Sequence, residues 1–396
     1  MTLGDDWCNW SGAVRCPGVR IDRPRNVEAL SELVTTFRCS EQDAATLRPI
    51  GSGHSFVPFW APDDRLLAMD AFAGLEGVTD GVARLGAGTP LHAIGPLLAS
   101  EGLALENMGD IDRQTLAGAV ATGTHGTGLG LGSLSSGVVA IELVDGRGKL
   151  QQLTRPEAVA AARVALGLLG VMTRIDLAVV PAYGLHETNQ VESVEHCLDH
   201  LDERLDQYRH HEFWWVPRSD RCVAKTLQAI PLPRDARLDE VPFGESGERW
   251  GASWRIFPSS REQKFNEMEY AVPLAAGPAC FRAVRERLLQ AFPALPWPVE
   301  YRVVAGDDGW LSPTAGEAVA AISIHQGAER DPTPLFAEVE PILRAHGGRP
   351  HWGKCHDLDA AALDVLYPRR VEFSALRRQL DPEDRFLTAY LARLFG

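Results

Sequence analysis

The sequence predicts an α+β protein in two parts: a first half in which helices and strands alternate, and a second half built on an antiparallel sheet with helices. The chain has 396 residues, and 45% of them are hydrophobic. This length exceeds the size at which one hydrophobic core normally stops growing. The alternation continues to about residue 180, whereas tryptophans and prolines punctuate short apolar strands after Tyr183. The domain boundary is therefore expected near residue 182.

The first half contains helix and strand signals in a clear order. Asn26 has a side chain that can cap a helix. Asp145-Gly146 lies between "VVAIELV" and "KLQQL" and predicts the turn of a hairpin. The predicted elements are a helix at 26–37, strands at 46–50 and 82–85, a helix at 90–100, the hairpin at 138–153, a helix at 155–167 and a strand at 170–180.

The sequence of the second half predicts a sheet with helices, followed by a helical tail. The segments "WPVEYRVV" and "AVAAISIH" are short apolar strands, and "LFAEVEPILRAH" is a helix that ends at Gly347-Gly348. After "RPHWGKCH" the chain is helical again, in "RRVEFSALRRQL" and "RFLTAYLARLF". We therefore expect domains at 1–182 and 183–355, followed by C-terminal helices at 356–396.

Charge and composition exclude several classes of protein. The net charge of −14 argues against nonspecific binding of nucleic acid or anionic lipid. The chain has no apolar run of membrane-spanning length, and its start is acidic, so we expect a cytoplasmic protein. Seven scattered cysteines, Cys39 among them, form no C-x-x-C pair and predict reduced thiols rather than a disulfide framework or a metal site.

The first glycine-rich segment, "LRPIGSGHSFVPF" at 47–59, lets backbone N–H groups approach a phosphate. It is not the dinucleotide fingerprint, because Phe56 stands where the third glycine belongs. Pro58 and Pro62 prevent a helix from opening directly behind it. A pyrophosphate on a helix N-terminus of the usual kind is therefore not expected here.

A second glycine-rich segment follows about 55 residues later, "ALENMGDIDRQTLAGAVATGTHGTGLGLGSLSSG". Its alternation of small and apolar residues favours backbone that is buried against a flat ligand. The alternative is a flexible surface loop. Two separate glycine-rich loops favour the first interpretation, because together they can hold one extended nucleotide.

These segments resemble FAD flavoproteins of the vanillyl-alcohol-oxidase (PCMH) type, in particular the branch of aldonolactone and alditol oxidases. The resemblance extends over nearly the whole chain. It implies an FAD-binding domain made of residues 1–182 and the tail 356–396, with an inserted substrate-binding cap domain at 183–355. The segments that carry it are "NWSG", "GSGHSF", "GLALENMGDI", "AGAVATGTHGTG", "LGLLGVMTRIDL", "EYRVVAGDDGWLSP", "RPHWGKCH" and "YPRR…LDPEDRFLTAYL".

The resemblance implies that FAD is bound covalently through His54, the histidine of "GSGHS". A neutral imidazole is a good nucleophile for this bond to the 8α-methyl group of the isoalloxazine. The alternative is a loop histidine that hydrogen-bonds the pyrophosphate. The implied cofactor-binding residues are Ile50, Gly51, Ser52, Gly53, His54, Ser55, Gly109, Asp112, Thr115, Gly118, Ala119, Thr122, Gly123, His125, Gly126, Val171 and His351.

The resemblance also implies a catalytic group of Glu300, Arg302 and Lys354. Glu300 and Arg302 are two apart on a predicted strand, so both point to one side of the sheet. Such a pair could equally be a surface ion pair, and Lys354 a phosphate-binding or surface lysine. Over the flavin, Glu300 can orient or deprotonate the substrate hydroxyl, while Arg302 and Lys354 stabilise developing negative charge.

Two residues are implied to bind substrate. His325 lies on a strand that faces the site in alditol oxidases, although a packed strand histidine is an equal alternative. Asp110 occupies a substrate-contacting position where alditol oxidases usually carry serine, and this departure argues against a direct transfer of alditol specificity. Gly109 beside it is expected either to leave room for O₂ near the flavin or to satisfy a turn with positive φ.

We therefore expect a flavoprotein oxidase acting on an aldono-1,4-lactone of the gulono, galactono or arabinono kind, with O₂ reduced to H₂O₂. The alternative substrate is an alditol such as xylitol or sorbitol. The sequence also leaves open a non-redox FAD-binding protein and an NAD(P)H-dependent reductase of the same fold. The expected oligomeric state is a monomer or a weak dimer.

Overall fold

The fold is described from a computed structural model, which defines residues 5–37, 46–60, 65–259 and 262–396. Cys39 and Pro62, which the sequence analysis singled out, lie outside these ranges. The six cysteines within them are free thiols, as expected. The longest of the described helices has 15 residues, and none of them is long and apolar enough to cross a membrane.

The N-terminal half forms three sheets, of four, five and two strands, in the part of the chain that the structure describes. The first is mixed, with order β1-β2-β4-β3, and the second is antiparallel, with order β5-β6-β10-β8-β9. The elements are β1 (Asp5–Cys8), β2 (Arg15–Asp22), α1 (Val27–Thr36), β3 (Leu47–Ile50), β4 (Arg65–Ala68), β5 (Leu75–Thr79), β6 (Val82–Gly86), α2 (Leu91–Ser100), β7 (Leu103–Ala104), α3 (Leu116–Thr122), β8 (Val138–Val144), β9 (Leu150–Leu153), α4 (Pro156–Arg163), β10 (Val171–Ala178) and β11 (Val180–Pro181).

The predicted elements of this half all form, although α4 ends at Arg163 rather than near residue 167. The strands β1, β2, β4, β5 and β7 were not predicted, and two further differences concern a turn and a helix. The hairpin turn is longer than predicted: it spans residues 145–149, and Gly148 rather than Gly146 has positive φ. The cause is Asp145, whose buried carboxylate accepts the backbone N–H groups of Arg147 and Lys149. The second difference is the helix α3, which forms where the sequence predicted either ligand-facing or flexible loop.

Helix α3 forms because both of its ends are capped. Thr115 accepts the backbone N–H of Gly118 at the N-terminus, and Gly123 ends the helix with φ +78°. Its apolar residues then pack into the N-terminal core. The flexible-loop alternative for this glycine-rich segment is therefore wrong.

The second half is built on an eight-stranded antiparallel sheet with order β15-β12-β14-β13-β17-β18-β16-β19. Helices cover one face of this sheet with a separate hydrophobic core. The elements are β12 (Gly184–Glu192), α5 (Val194–Asp199), α6 (Leu201–Gln207), β13 (His210–Val216), β14 (Arg221–Ile230), β15 (Gly247–Ala252), α7 (Ser253–Ile256), β16 (Phe265–Pro273), α8 (Gly277–Ala291), β17 (Val299–Val304), β18 (Val319–Gly327), α9 (Thr333–Ala345) and β19 (Arg349–Pro350).

The chain ends in three helices that pack on the N-terminal half: α10 (Ala360–Leu366), α11 (Arg370–Leu380) and α12 (Ala389–Phe395). Backbone bonds join the two parts, since Leu47 N donates to Arg385 O at 2.7 Å. The buried guanidinium of Arg48 donates to Phe386 O at 2.9 Å. These contacts agree with a first domain completed by the tail, although the predicted boundaries at 182 and 355 stay predictions.

Candidate active site

A cavity of about 1180 Å³ lies between the open face of the eight-stranded sheet and the two glycine-rich segments. A smaller cavity of about 110 Å³ adjoins it and shares His54, Ser55, Gln114 and Thr122 in its walls. Many of the residues that line the larger cavity are charged, whereas those that line the smaller one include six glycines and three alanines. Together they form one elongated site.

Strand register places the charged side chains in rows across the sheet. One row joins Asn189, Lys225, Glu212 and Arg302 on β12, β14, β13 and β17. Because directly opposed residues point to the same face of a sheet, every member of a row faces the cavity. The adjacent row consists of Val223, Trp214, Glu300, Ser323 and Glu269, and a third pair is His325 with Glu267.

Glu300 and Arg302 form a buried ion pair, so the surface-pair alternative is wrong. The Glu300 side chain is only 4% exposed, and its Oε1 accepts both an Arg302 N–H and Trp214 Nε1, the latter at 2.6 Å. Burial raises the pKa of Glu300 to about 7, against the opposing effect of Arg302. A carboxylate with this pKa can take up or release a proton near neutral pH.

Arg302 holds the central position among the acidic groups. Glu212 Oε2 lies 3.1 Å from its Nε, and Asp110 Oδ2 lies 3.8 Å from its Nη2. Although burial opposes the charged form, Glu300 and Glu212 keep the pKa of Arg302 well above its ordinary value. The site therefore keeps a permanent positive charge beside Glu300.

Lys354 lies on the segment after β19, which runs beside β16, and hydrogen-bonds Glu267 on that strand. His325 Nδ1 donates to Pro298 O at 2.8 Å, and its Nε2 lies 3.6 Å from Glu267. Burial would raise the pKa of Glu267, but Lys354 and His325 lower it overall. The surface-lysine alternative for Lys354 is wrong, since it lines the cavity and pairs with a buried carboxylate.

Glu267, Glu300 and His325 bring three possible metal-ligand atoms within 4.8 Å of one another. Lys354 and Arg302 already pair with the two carboxylates. A cation in this place would have to displace both of them, so we assign no metal to the cluster.

His125 is held by Glu269 in the same cavity. Its Nε2 lies 2.8 Å from Glu269 Oε1, and Ser323 donates to the other carboxylate oxygen at 2.6 Å. Despite burial, Glu269 raises the pKa of His125. His351 beside it has its pKa lowered by burial to about 4. His125 is thus a fixed residue of the cavity wall.

His54 lies where the two cavities meet, and its ring stacks on Trp10 with 5.6 Å between centroids. Burial, together with the positive charges of Lys354 and Arg113, lowers the pKa of His54 to about 4. The imidazole is therefore neutral at pH 7, and a neutral imidazole has a nucleophilic nitrogen.

The smaller cavity has the features that a nucleotide requires. A Cβ on Gly51 would lie 2.3 Å from Thr115 Oγ1, so only backbone fits between the two segments. Within the described ranges, the N–H groups of Ser52 and Gly53 donate to no protein acceptor, and the buried Trp60 Nε1 has no partner. Free donors in a narrow cleft suit phosphate oxygens. The residues present therefore fit the expected FAD.

The structure brings together most of the predicted site residues. Ile50, Gly51, Ser52, Gly53, Thr115 and Gly118 line the smaller cavity, His54, Ser55 and Thr122 line both, and Asp110, His125, Glu300, Arg302, His325, His351 and Lys354 line the larger one.

Six predicted cofactor-binding residues do not line either cavity: Gly109, Asp112, Ala119, Gly123, Gly126 and Val171. Val171 points into the core beside Leu30, and its strand neighbours Gly170 and Met172 line the cavity instead. Ala119 is buried in the core face of α3. Gly126 packs against backbone, since a Cβ there would lie 2.2 Å from Met108 O.

Gly109 lies outside the left-handed region of φ, so the positive-φ alternative for this residue is wrong. With Asp112 it borders a separate small void of about 20 Å³. A Cβ on Gly109 would lie 2.8 Å from Thr124 Cγ2. Because Thr124 lines the larger cavity, a larger residue at 109 would press on the cavity wall from behind.

Several charged or aromatic residues of the site were not predicted, among them Glu212, Trp214, Lys225, Glu267 and Glu269. A signal was available for Glu267, because "FNEMEYAVP" carries two glutamates at alternate positions of an apolar strand. Polar residues at that spacing indicate a strand with one face toward a polar site. Trp214 and Glu212 occupy the same alternation in "HHEFWWV".

Comparison with protein families gives two matches along the chain. Residues 21–154 match the family described as FAD binding domain, and residues 175–242 and 240–394 match D-arabinono-1,4-lactone oxidase. The solved structure of cholesterol oxidase from B. sterolicum has a TM-score of 0.85 over 99% of this chain and 96% of that one. At 16% identity it shows a common fold alone.

Individual relatives align along almost their full length. L-gulono-1,4-lactone dehydrogenase of Mycobacterium tuberculosis is 33% identical over 98% of this chain and 99% of its own. Alditol oxidase of a Streptomyces species is 30% identical over 98% of both chains. L-gulonolactone oxidase of Bos taurus is 27% identical over 98% of this chain and 97% of its own.

Proposed function

Because the chain belongs to the aldonolactone oxidase family of FAD-dependent oxidoreductases, we propose that it oxidises the CH–OH group of an aldono-1,4-lactone of the gulono, galactono or arabinono kind. We further propose that O₂ is the final electron acceptor and that His54 holds the flavin covalently. The observation that carries the proposal is the buried pair Glu300–Arg302, which lines one cavity together with the pair Lys354–Glu267.

FAD, when bound, supplies the acceptor for the hydride that leaves the substrate carbon. The residues that would hold it are those of the two glycine-rich segments, 50–55 and 115–122, with His54 at the junction of the cavities. Neutral His54 has a nitrogen available for the covalent bond. The cytoplasmic location and the monomer or weak dimer stay predictions from sequence.

Glu300 is the proposed base for the substrate hydroxyl. Burial raises its pKa to about 7, so that it can take up a proton near neutral pH, which suits proton abstraction. Arg302 keeps the carboxylate oriented and offers positive charge to an oxygen that loses its proton. Lys354, in the same cavity, offers another positive charge.

Asp110 favours an aldonolactone rather than an alditol as the substrate. Its carboxylate lies 3.8 Å from Arg302 and accepts the hydroxyl of Ser259 at 2.7 Å. It therefore presents a fixed negative acceptor where alditol oxidases usually carry serine. Such an acceptor selects a substrate by where its hydroxyl groups lie.

A substrate panel tests this proposal. We expect gulono-, galactono- and arabinono-1,4-lactones to bleach the flavin absorbance anaerobically and to yield H₂O₂ in air. Xylitol and sorbitol should bleach it at least about tenfold more slowly, the ratio that a 1.4 kcal/mol difference in barrier produces. Faster bleaching by the polyols would identify an alditol oxidase. Bleaching by NADPH alone, or by none of these compounds, would contradict the proposal.

Gly109→Ala tests the choice of O₂ as acceptor. The added methyl group, 2.8 Å from Thr124, must push that side chain toward the cavity in a closely packed wall. We expect the anaerobic rate of flavin reduction by lactone to equal that of the wild type. The reaction of the reduced flavin with O₂ should slow by about tenfold or more. Double-mixing stopped flow measures both rates. Equal loss of both rates, or loss of FAD, would show that Gly109 has a packing role only.

A further inference from the structure

The catalytic pair is the end of a longer chain of buried charges that crosses five strands. From the sheet edge inward, its members are Arg249, Glu187, Lys225, Glu212, Arg302 and Glu300, in alternating sign. Strand register explains the arrangement, because Lys225, Glu212 and Arg302 are directly opposed on β14, β13 and β17.

Glu212 is the link between the catalytic pair and the rest of the chain. Its Oε2 lies 3.1 Å from Arg302 Nε, and its Oε1 lies 3.1 Å from Lys225 Nζ. The Glu212 side chain is 2% exposed and that of Lys225 is 4% exposed. Water can therefore screen neither contact effectively, and each charge depends on its protein neighbours.

Lys225 is in turn held by Glu187, at 3.5 Å, and Arg249 donates two hydrogen bonds to that same carboxylate, at 3.0 and 2.9 Å. Although burial opposes the charged form, Glu212 and Glu187 raise the pKa of Lys225. Lys225 is thus a fixed cation behind Glu212.

We propose that Glu212 and Lys225 are positioning residues, which act through Arg302 to set how strongly Arg302 holds Glu300. Glu212 competes with Glu300 for the single guanidinium, and Lys225 weakens that competition by satisfying Glu212. This inference rests on the proposed function, in which Glu300 takes the proton of the substrate hydroxyl.

The two residues have opposite effects on Glu300. Without the charge of Glu212, Arg302 pairs with Glu300 alone and one nearby negative charge is gone, so the pKa of Glu300 falls. Without the charge of Lys225, Glu212 draws Arg302 toward itself, so the pKa of Glu300 rises. The other groups that face Glu300 stay in place in both cases: Trp214, His325, Ser323, Glu267 with its partner Lys354, and Asp110.

The test compares Glu212→Gln and Lys225→Met in the FAD-loaded protein. The pH midpoint for ionisation of Glu300 is read by infrared spectroscopy, as the carboxylic acid C=O band that Glu300→Gln removes. We expect this midpoint to move down by about one pH unit in Glu212→Gln and up by about one in Lys225→Met. The midpoint of kcat/KM against pH should move with it, and Lys225→Arg should restore the wild-type value.

Thr226→Val is the matched control, because Thr226 follows Lys225 on β14 and points to the opposite face. Its midpoints should equal those of the wild type. Midpoints that stay fixed, or that move the same way in both variants, would overturn the proposal. If Lys225→Met does not fold, the midpoint of Glu212→Gln alone tests the proposal, because glutamine keeps the shape of the glutamate side chain. The infrared midpoint needs no turnover, so it tests this inference even if no lactone is oxidised.

Discussion

Replacing Arg302 by alanine is expected to slow anaerobic bleaching of the flavin by lactone about a hundredfold or more, the usual effect of losing a positioned electrostatic group. Arg302 is the cation next to Glu300, and Glu212 and Asp110 face it as well. Its loss leaves buried carboxylates without their counter-charge. The pKa of Glu300 then rises above about 7, so Glu300 stays protonated and cannot accept the substrate proton at neutral pH.

Stopped-flow absorbance at the flavin band measures this rate. Lys354→Met should slow it by a similar factor, because Lys354 supplies positive charge to the same cavity. Lys264→Met is the control, since Lys264 is an exposed lysine at the rim of the same cavity. Breaking a buried ion pair can cost about 3–5 kcal/mol of stability, so bound FAD and thermal unfolding are recorded for each variant. Near-normal rates in Arg302→Ala and Lys354→Met, with FAD bound, would refute the catalytic assignment.

His54→Ala is expected to convert a covalent flavoprotein into one that releases its flavin on denaturation. In the wild type, flavin fluorescence should stay with the polypeptide on an acidic denaturing gel. His54 is the histidine at the junction of the two cavities, and its pKa of about 4 keeps a nitrogen unprotonated for the bond. The glycine-rich segments should still bind FAD noncovalently in the variant.

His325→Asn provides the comparison for this experiment. His325 lines the larger cavity from the sheet but not the smaller one, so the flavin should stay attached to that variant. Complete extraction of flavin from the denatured wild-type protein would show that His54 does not anchor the flavin. Fluorescence that persists in His54→Ala would assign the bond to another residue.

The sequence predicts local elements and the family well, because their signals lie within short segments. The Asn26 cap, for example, begins α1 where expected. The family resemblance is confirmed by the match of both halves to known families. Glu300 and Arg302 could be placed together because two residues on one strand share a face.

The contacts that complete the site could not be predicted, because they depend on register between distant strands. Glu267 meets Lys354 across 87 residues of sequence, and Glu212 meets Arg302 only because β13 and β17 pair in one register. A shift of one residue would turn either side chain to the other face. The same alternation explains Val171, which lies one position away from two cavity-lining residues.

The helical tail has a consequence for how the protein is made. The core of the N-terminal half includes Tyr367, Phe373 and Phe395, and Arg48 is satisfied in part by Phe386 O. On the ribosome, residue 182 is synthesised roughly 10 to 40 s before residue 396 at typical elongation rates. During this time the apolar surface of the nascent first half stays uncovered, while the intervening sheet is still being synthesised. This surface is covered only after the three tail helices have been synthesised and can pack on it.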